Sequence, residues 1–132
     1  MPVITYTAKR ALATDHVIGV EYSIEFDAAR IDRSASTERK EHRALGGVTE
    51  VLRYRHDTFW QLTASMVLHT NLILWREFYH SVDGGEPFTL DAYGSLAAPD
   101  NPISVMLDGN SYVEDRVNES MFYNITFRAR EL

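Results

Sequence analysis

Apolar and polar residues alternate along most of this chain, with one stretch that follows a different period. From Val17 to Asp27, Ile18, Val20, Tyr22, Ile24 and Phe26 fall on one face, and Gly19, Glu21, Ser23, Glu25 and Asp27 fall on the other. A period of two predicts a strand with one buried and one wet face. Val3 to Thr7 predicts a shorter first strand, and residues 48–55, VTEVLRYR, a mixed one. Beyond a turn or bulge at His56-Asp57, Trp60, Leu62, Ala64, Met66 and Leu68 share a face opposite Gln61, Thr63 and Ser65. In the closing strand Met121, Tyr123, Ile125, Phe127 and Ala129 alternate with Phe122, Asn124, Thr126, Arg128 and Arg130.

The other period is helical. Placed at 100° per residue, Leu72, Leu74, Trp75, Phe78, Tyr79 and Val82 occupy one arc, with Ile73 as an exception. Arg76, Glu77, His80 and Ser81 occupy the opposite arc. The pattern predicts a helix over about Asn71 to Val82, capped by Thr70 and stopped by Gly84-Gly85, with its apolar arc covering the face of a sheet. Phe88 and Leu90 point the same way on an extended segment, and Pro99 and Pro102 mark the loop from Gly94 as irregular chain. Asp108-Gly109-Asn110 lies between ISVML and SYV and predicts a hairpin there. The expected fold is therefore mainly β with one helix.

Residues 28–46, AARIDRSASTERKEHRALG, carry dense charge and no apolar period. A connection of this length is long for a compact domain. It is expected as a long loop or arm, with a projecting β-ribbon or a short polar helix as alternatives. Gly46-Gly47 ends it.

A chain of 132 residues, 45% apolar, is expected to be a single domain over 1–132 with a real core. The absence of cysteine excludes disulfides, Cys-ligated zinc and thiol catalysis. The N-terminus lacks the apolar core of a signal peptide, and no run approaches the roughly 18 apolar residues of a membrane span. A soluble chain in a cytoplasm-like setting, with no membrane partner, is the simplest expectation. The net charge of −6 is unevenly spread: residues 1–55 balance at +1 and residues 56–132 at −7. Arg30, Arg33, Arg39, Lys40 and Arg43 cluster, but Asp32, Glu38 and Glu41 are interleaved with them, which argues against sequence-specific nucleic-acid binding. These five are either a solvated face or an inter-subunit contact that meets acidic groups of a neighbouring copy, with Asp83, Glu86, Asp91 and Asp100 as the acids to meet. Eleven of the thirteen basic residues are Arg, which suits forked carboxylate pairs at interfaces.

The search for chemistry is mostly negative. His16, His42, His56, His69 and His80 show no metal-ligand spacing, and there is no GxSxG, P-loop or GxGxxG. No catalytic residue, metal or cofactor is expected. The adjacent Glu114 and Asp115 would face opposite sides of a strand and be solvated. Trp60, Trp75, Phe78 and Tyr79 are expected in the core between sheet and helix, with a ligand pocket as the alternative.

The run EVLRYRHDTFWQLTASMVLH, followed by LWREFYHSVDGGEPFTLDAYG, resembles the small tail proteins of long-tailed bacteriophages, the tail-tube, distal-tail and minor tail-tip group. The resemblance covers roughly residues 45–131. It implies an antiparallel β-sandwich flanked by a single amphipathic helix, with segment 28–46 as an arm toward the next subunit. It implies a structural, non-enzymatic virion protein, assembled in the host cytoplasm into a ring that joins the tail tube to the tip. A hexamer is favoured, a trimer is possible, and the partners are itself and other tail proteins. Two rival classes stand beside it: a small-ligand-binding β-barrel or helix-grip domain, and a small enzyme using scattered carboxylates.

Overall fold

The computed structural model describes residues 1–43 and 49–132, and the side chains outside 37–56. Among the described residues, eight strands and one α-helix follow one another along the chain. They are β1 (Val3–Thr7), β2 (Glu21–Glu25), β3 (Ala28–Arg43), β4 (Thr49–Leu68), α1 (Leu72–Val82), β5 (Phe88–Asp91), β6 (Ile103–Leu107), β7 (Val113–Arg116) and β8 (Phe122–Glu131). Every pairing is antiparallel, in the order β2-β1-β5-β6-β8-β4-β3, with β7 also on β8.

The two edge strands, β2 and β3, are joined by only Phe26 and Asp27. In a flat sheet of seven strands the edges would stand about 29 Å apart, whereas such a link spans about 10 Å at most. The sheet therefore curls over itself. Consistent with this, the amide of Ser65 in β4 donates to the carbonyl of Asp27 at 2.8 Å, and the rings of Phe26 and Phe127 lie 6.5 Å apart. Mainly β with one helix is the architecture the alternation predicts, and the strands belong to one continuous sheet.

Helix α1 fills the interior. Trp75 packs edge-on to Phe26 at 5.2 Å and to Phe78 at 6.2 Å, and Phe78 meets Tyr6, Phe88 and Phe127 at 5.6, 5.0 and 5.8 Å. Leu72, Trp75, Phe78 and Val82 are buried and Ile73 is exposed, as the helical arc predicts. The helix ends where Gly85 takes φ +90, a conformation that favours glycine, and its amide reaches the carbonyl of Val82.

The structure corrects the expected pattern at five places. The segment from Val17 to Val20 is loop, not strand, with Val17, Ile18 and Val20 exposed and Gly19 at φ +90. Thr70 does not cap the helix: a 3-10 turn, His69–Asn71, precedes it, and Asn71 occupies the cap position without a side-chain bond. In β4 a bulge falls between Ala64 and Val67, so Met66 turns outward at φ 55 and Val67 takes the buried position. Asp108-Gly109 does not close a hairpin. β6 and β7 lie one after the other along the same edge of β8, and the Asp-Gly segment is the kink between them, with the amide of Asp108 on the carbonyl of Arg128. The hairpin is β7–β8, turned at Asn118 with φ 53.

Segment 28–43 is the fifth. It is a strand of 16 residues, the ribbon alternative rather than a loop, and the expected end of the arm at residues 44–46 lies outside the described residues. β4 pairs with β8 only from Phe59 to Leu68. Outward from Ala35 and Thr58, β3 and β4 pair only with each other, through nine residue pairs. At about 3.4 Å per residue this makes a two-stranded extension of roughly 30 Å. A register shift between Glu38 and Arg39 places an extra residue, Tyr54, on β4, two positions before His56, while His56 and Asp57, where a turn or bulge is expected, stay in the ladder opposite Thr37 and Ser36.

Candidate functional site

Four sets of polar groups stand out: the clustered cations, a buried carboxylate on the helix, a forked pair between the helix and β7, and a cavity beside the root of the ribbon.

Of the five cations, Arg30 pairs with Asp32 two residues along the same face of β3. Arg33 sits opposite Trp60 and lines the cavity described below. Arg39, Lys40 and Arg43 lie on the outer part of β3, where side chains are outside the described set. Among the acids expected to meet them, Asp83 and Asp100 are exposed. Glu86 already pairs with Lys9 at 3.0 Å and accepts the amide of Gly84, which lowers its pKa. Asp91 is buried and accepts the amides of Gly94 at 2.9 Å, Asp100 at 3.0 Å and Asn101 at 3.4 Å. It staples the loop after β5, and a Cβ at Gly94 would run into its carboxylate. Asp91 is thus held from within its own chain.

The helix wheel places Glu77 and Ser81 in solvent, yet both are buried. The loop between β1 and β2 lies over them. Glu77 accepts the hydroxyl of Tyr6 at 2.5 Å and the amide of Leu12 at 3.0 Å, and it pairs with Nδ1 of His16. The His16 ring stacks on Tyr22 at 3.7 Å, and the amide of Lys9 donates to the Ser81 hydroxyl at 3.1 Å. A buried carboxylate must be paired and hydrogen-bonded, and here its partners come from Tyr6 on β1 and from Leu12 and His16 on the loop that follows. Burial, and then donation to Glu77, pushes the Tyr6 hydroxyl pKa well above its ordinary value. Nothing in the helical period announces this cluster, because its covering comes from more than 60 residues away in sequence.

One residue earlier on the helix, Arg76 forms a forked pair with Glu114 at 3.1–3.4 Å, and Tyr112 donates to the same carboxylate at 3.0 Å. Glu114 is thus a tie between α1 and β7, not a solvated acid. Burial, then the Glu114 charge, raises the Tyr112 pKa.

The cavity, about 250 Å³, lies beside Arg33 and is lined by Trp60, Tyr93, Asp91, Asp100 and Glu131 among others. The Trp60 indole donates to Oε1 of Glu131 at 3.1 Å, and the Tyr93 ring stands edge-on to Trp60 at 6.3 Å. Tyr93 is 70% exposed. A cation, aromatic rings and carboxylates therefore meet where the ribbon leaves the sheet. Sequence reasoning singled out Arg33 and Trp60, but for separate roles, and missed Tyr93 and Glu131. Four distant segments meet here, and even the opposition of Arg33 and Trp60 follows only once β3 pairs with β4.

No protein-family profile matches the chain, and no curated protein matches it in sequence. Its fold is similar to that of a chain in the tail of an empty gene transfer agent (GTA) particle, a tail with C6 symmetry. The TM-score is 0.50, with 12% identity over 80% of this chain and 77% of that one. It is equally similar to a chain in the virion of the native gene transfer agent particle, with a TM-score of 0.50 and 12% identity over 80% of this chain and 79% of that one. The likeness is one of fold.

Proposed function

We propose that this chain is a structural subunit of a phage-type tail, a distal-tail, tail-tip or minor tail protein without enzymatic activity. It assembles into a ring that joins the tail tube to the tip. The observation that carries the reading is the fold likeness to a chain of a six-fold symmetric tail particle, extending over 80% of the chain. The ribbon supports it. An isolated two-stranded hairpin is marginally stable in water, and nine residue pairs of β3 and β4 have no third strand. A neighbouring subunit supplies the missing contacts.

Head-to-tail contacts join two different surfaces and close into a ring when the rotation allows. The chain has two such surfaces by charge. Segment 37–56 carries five basic and three acidic residues, and the remainder carries eight and sixteen. In this reading Arg39, Lys40 and Arg43, with Arg30 and Arg33 at the root, make the inter-subunit contact. The partners are further copies, six favoured and three possible, together with other tail proteins. The location is the virion tail, after assembly in the host cytoplasm.

The test is sedimentation velocity and negative-stain electron microscopy of the purified chain at rising concentration. Closed rings, six-fold in projection, are the expected result. A single monomeric species throughout the range would overturn the ring.

A further inference from the structure

We propose that the cavity formed by Trp60, Tyr93, Asp100 and Glu131 receives an arginine side chain from segment 37–56 of a second copy of this chain. The inference rests on the ring reading and names the surface that the ribbon meets.

Size sets the class of occupant. A cavity of about 250 Å³ falls below the roughly 300–1,000 Å³ of ordinary small-molecule sites and suits one long side chain. Charge sets its sign. Asp91, Asp100 and Glu131 line the cavity against one cation, Arg33, which leaves two negative charges in excess. Two of the three acids are held in place from within the chain: the Asp91 carboxylate by three backbone amides, and one oxygen of Glu131 by the Trp60 indole. Little ordering is then needed when a cation arrives.

The aromatic walls favour arginine over lysine. A guanidinium stacks on a ring face and forks onto a carboxylate, and both partners are present in the exposed Tyr93 ring and in Asp100 with Glu131. Segment 37–56 offers Arg39, Arg43, Arg53 and Arg55, with Lys40 as its single lysine. It has a net charge of +2, against −8 for the remainder of the chain.

The donor is another copy because pairing carries the segment away from the chain's own cavity. Arg33 and Trp60 face each other at the root of the ribbon, and β3 and β4 stay paired, across one register shift, out to Arg43 and Thr49. Arg39 is six residues along β3 from Arg33, about 20 Å in extended chain. In a head-to-tail ring the ribbon of each subunit reaches the cavity of the next.

Sedimentation of the parent chain and of the double variant Tyr93→Ala, Asp100→Asn tests this, with thermal melts of both. The two side chains are exposed, so the variant keeps its melt, and its half-assembly concentration rises roughly tenfold, the equivalent of about 1.4 kcal/mol. If the parent forms rings and the variant forms them at the same concentration, the cavity is not the receiving site, although the ring reading stands. If the parent stays monomeric, the ring reading falls, and a cyclised peptide of residues 37–56 titrated against the chain's tryptophan fluorescence, to which Trp60 and Trp75 both contribute, tests the cavity directly. Saturable change in the parent that is lost in the double variant upholds an arginine site, and no change in the parent overturns it.

Discussion

The inner and outer halves of β3 and β4 belong to the same two strands and are stabilised in different ways. Inboard of Phe59, β4 has β3 on one edge and β8 on the other, and Trp60, Leu62 and Ala64 point into a core shared with helix α1. Outboard of Thr58, each strand has only the other. Charge is concentrated at the same place: the outer part of β3 reads TERKEHR, whereas the inner part of β4 alternates Trp60, Leu62 and Ala64 with polar residues. The comparison separates two tasks along one hairpin. The inner half contributes to folding, and the outer half is left with hydrogen-bonding and charged groups that a neighbour can use.

The largest effect expected from breaking this comparison lies in the core. Trp75 is 2% exposed and packs on Phe26, Phe78 and Phe127. Trp75→Ala should cost about 3–5 kcal/mol, read from denaturant midpoints. A variant that unfolds with the parent would remove α1 from the centre of the fold.

Next comes the buried carboxylate. Glu77→Ala leaves the Tyr6 hydroxyl, the Leu12 amide and the His16 ring without their acceptor. The expected loss is about 1–3 kcal/mol, with faster hydrogen exchange at the Leu12 amide as the loop loosens. Unchanged exchange at Leu12 would show that Glu77 does not hold the loop.

A smaller effect follows from pH. Tyr6 and Tyr112 both have pKa values raised by burial. In the unfolded chain they ionise near the ordinary value of about 10, while in the folded chain they stay protonated. The folded state then binds more protons, so stability is full below about pH 10 and declines as pH rises above it. Tyr6→Phe should flatten that decline, as read from urea midpoints at about pH 9 to 11. An equal decline in the variant would assign the effect elsewhere.

The smallest effect on stability belongs to the ribbon. Reversing Arg39, Lys40 and Arg43 to Glu should shift the unfolding free energy by no more than about 0.5 kcal/mol, because these residues lie where β3 borders β4 alone.

The strands β1, β5 and β8 and the helix were legible because their apolar positions follow the period of the element they occupy. What was not legible shares one physical cause: the neighbour that decides a residue's environment is distant in sequence. Val17 to Val20 continue the alternation of β2, yet they have no partner strand and remain exposed. Met66 has the right phase for burial until the bulge shifts it. Glu77 and Ser81 have the right phase for solvent until the loop from β1 covers them. The Asp-Gly turn signal is real as a local bend, but β8 recruits both flanking strands to one edge. The cation cluster was visible as composition, while the cavity it is proposed to meet needed the fold to bring Tyr93 and Glu131 beside Trp60.

The claim that folding and assembly are divided between the body and the ribbon is tested most directly by one paired measurement. Sedimentation velocity of the parent and of the variant with Arg39, Lys40 and Arg43 all changed to Glu should be run at equal concentration. The account predicts rings for the parent and folded monomers for the variant, and parent rings that weaken as salt rises, since surface charges are screened over roughly 8 Å at 0.15 M. Rings of unchanged size and affinity from the variant would contradict it.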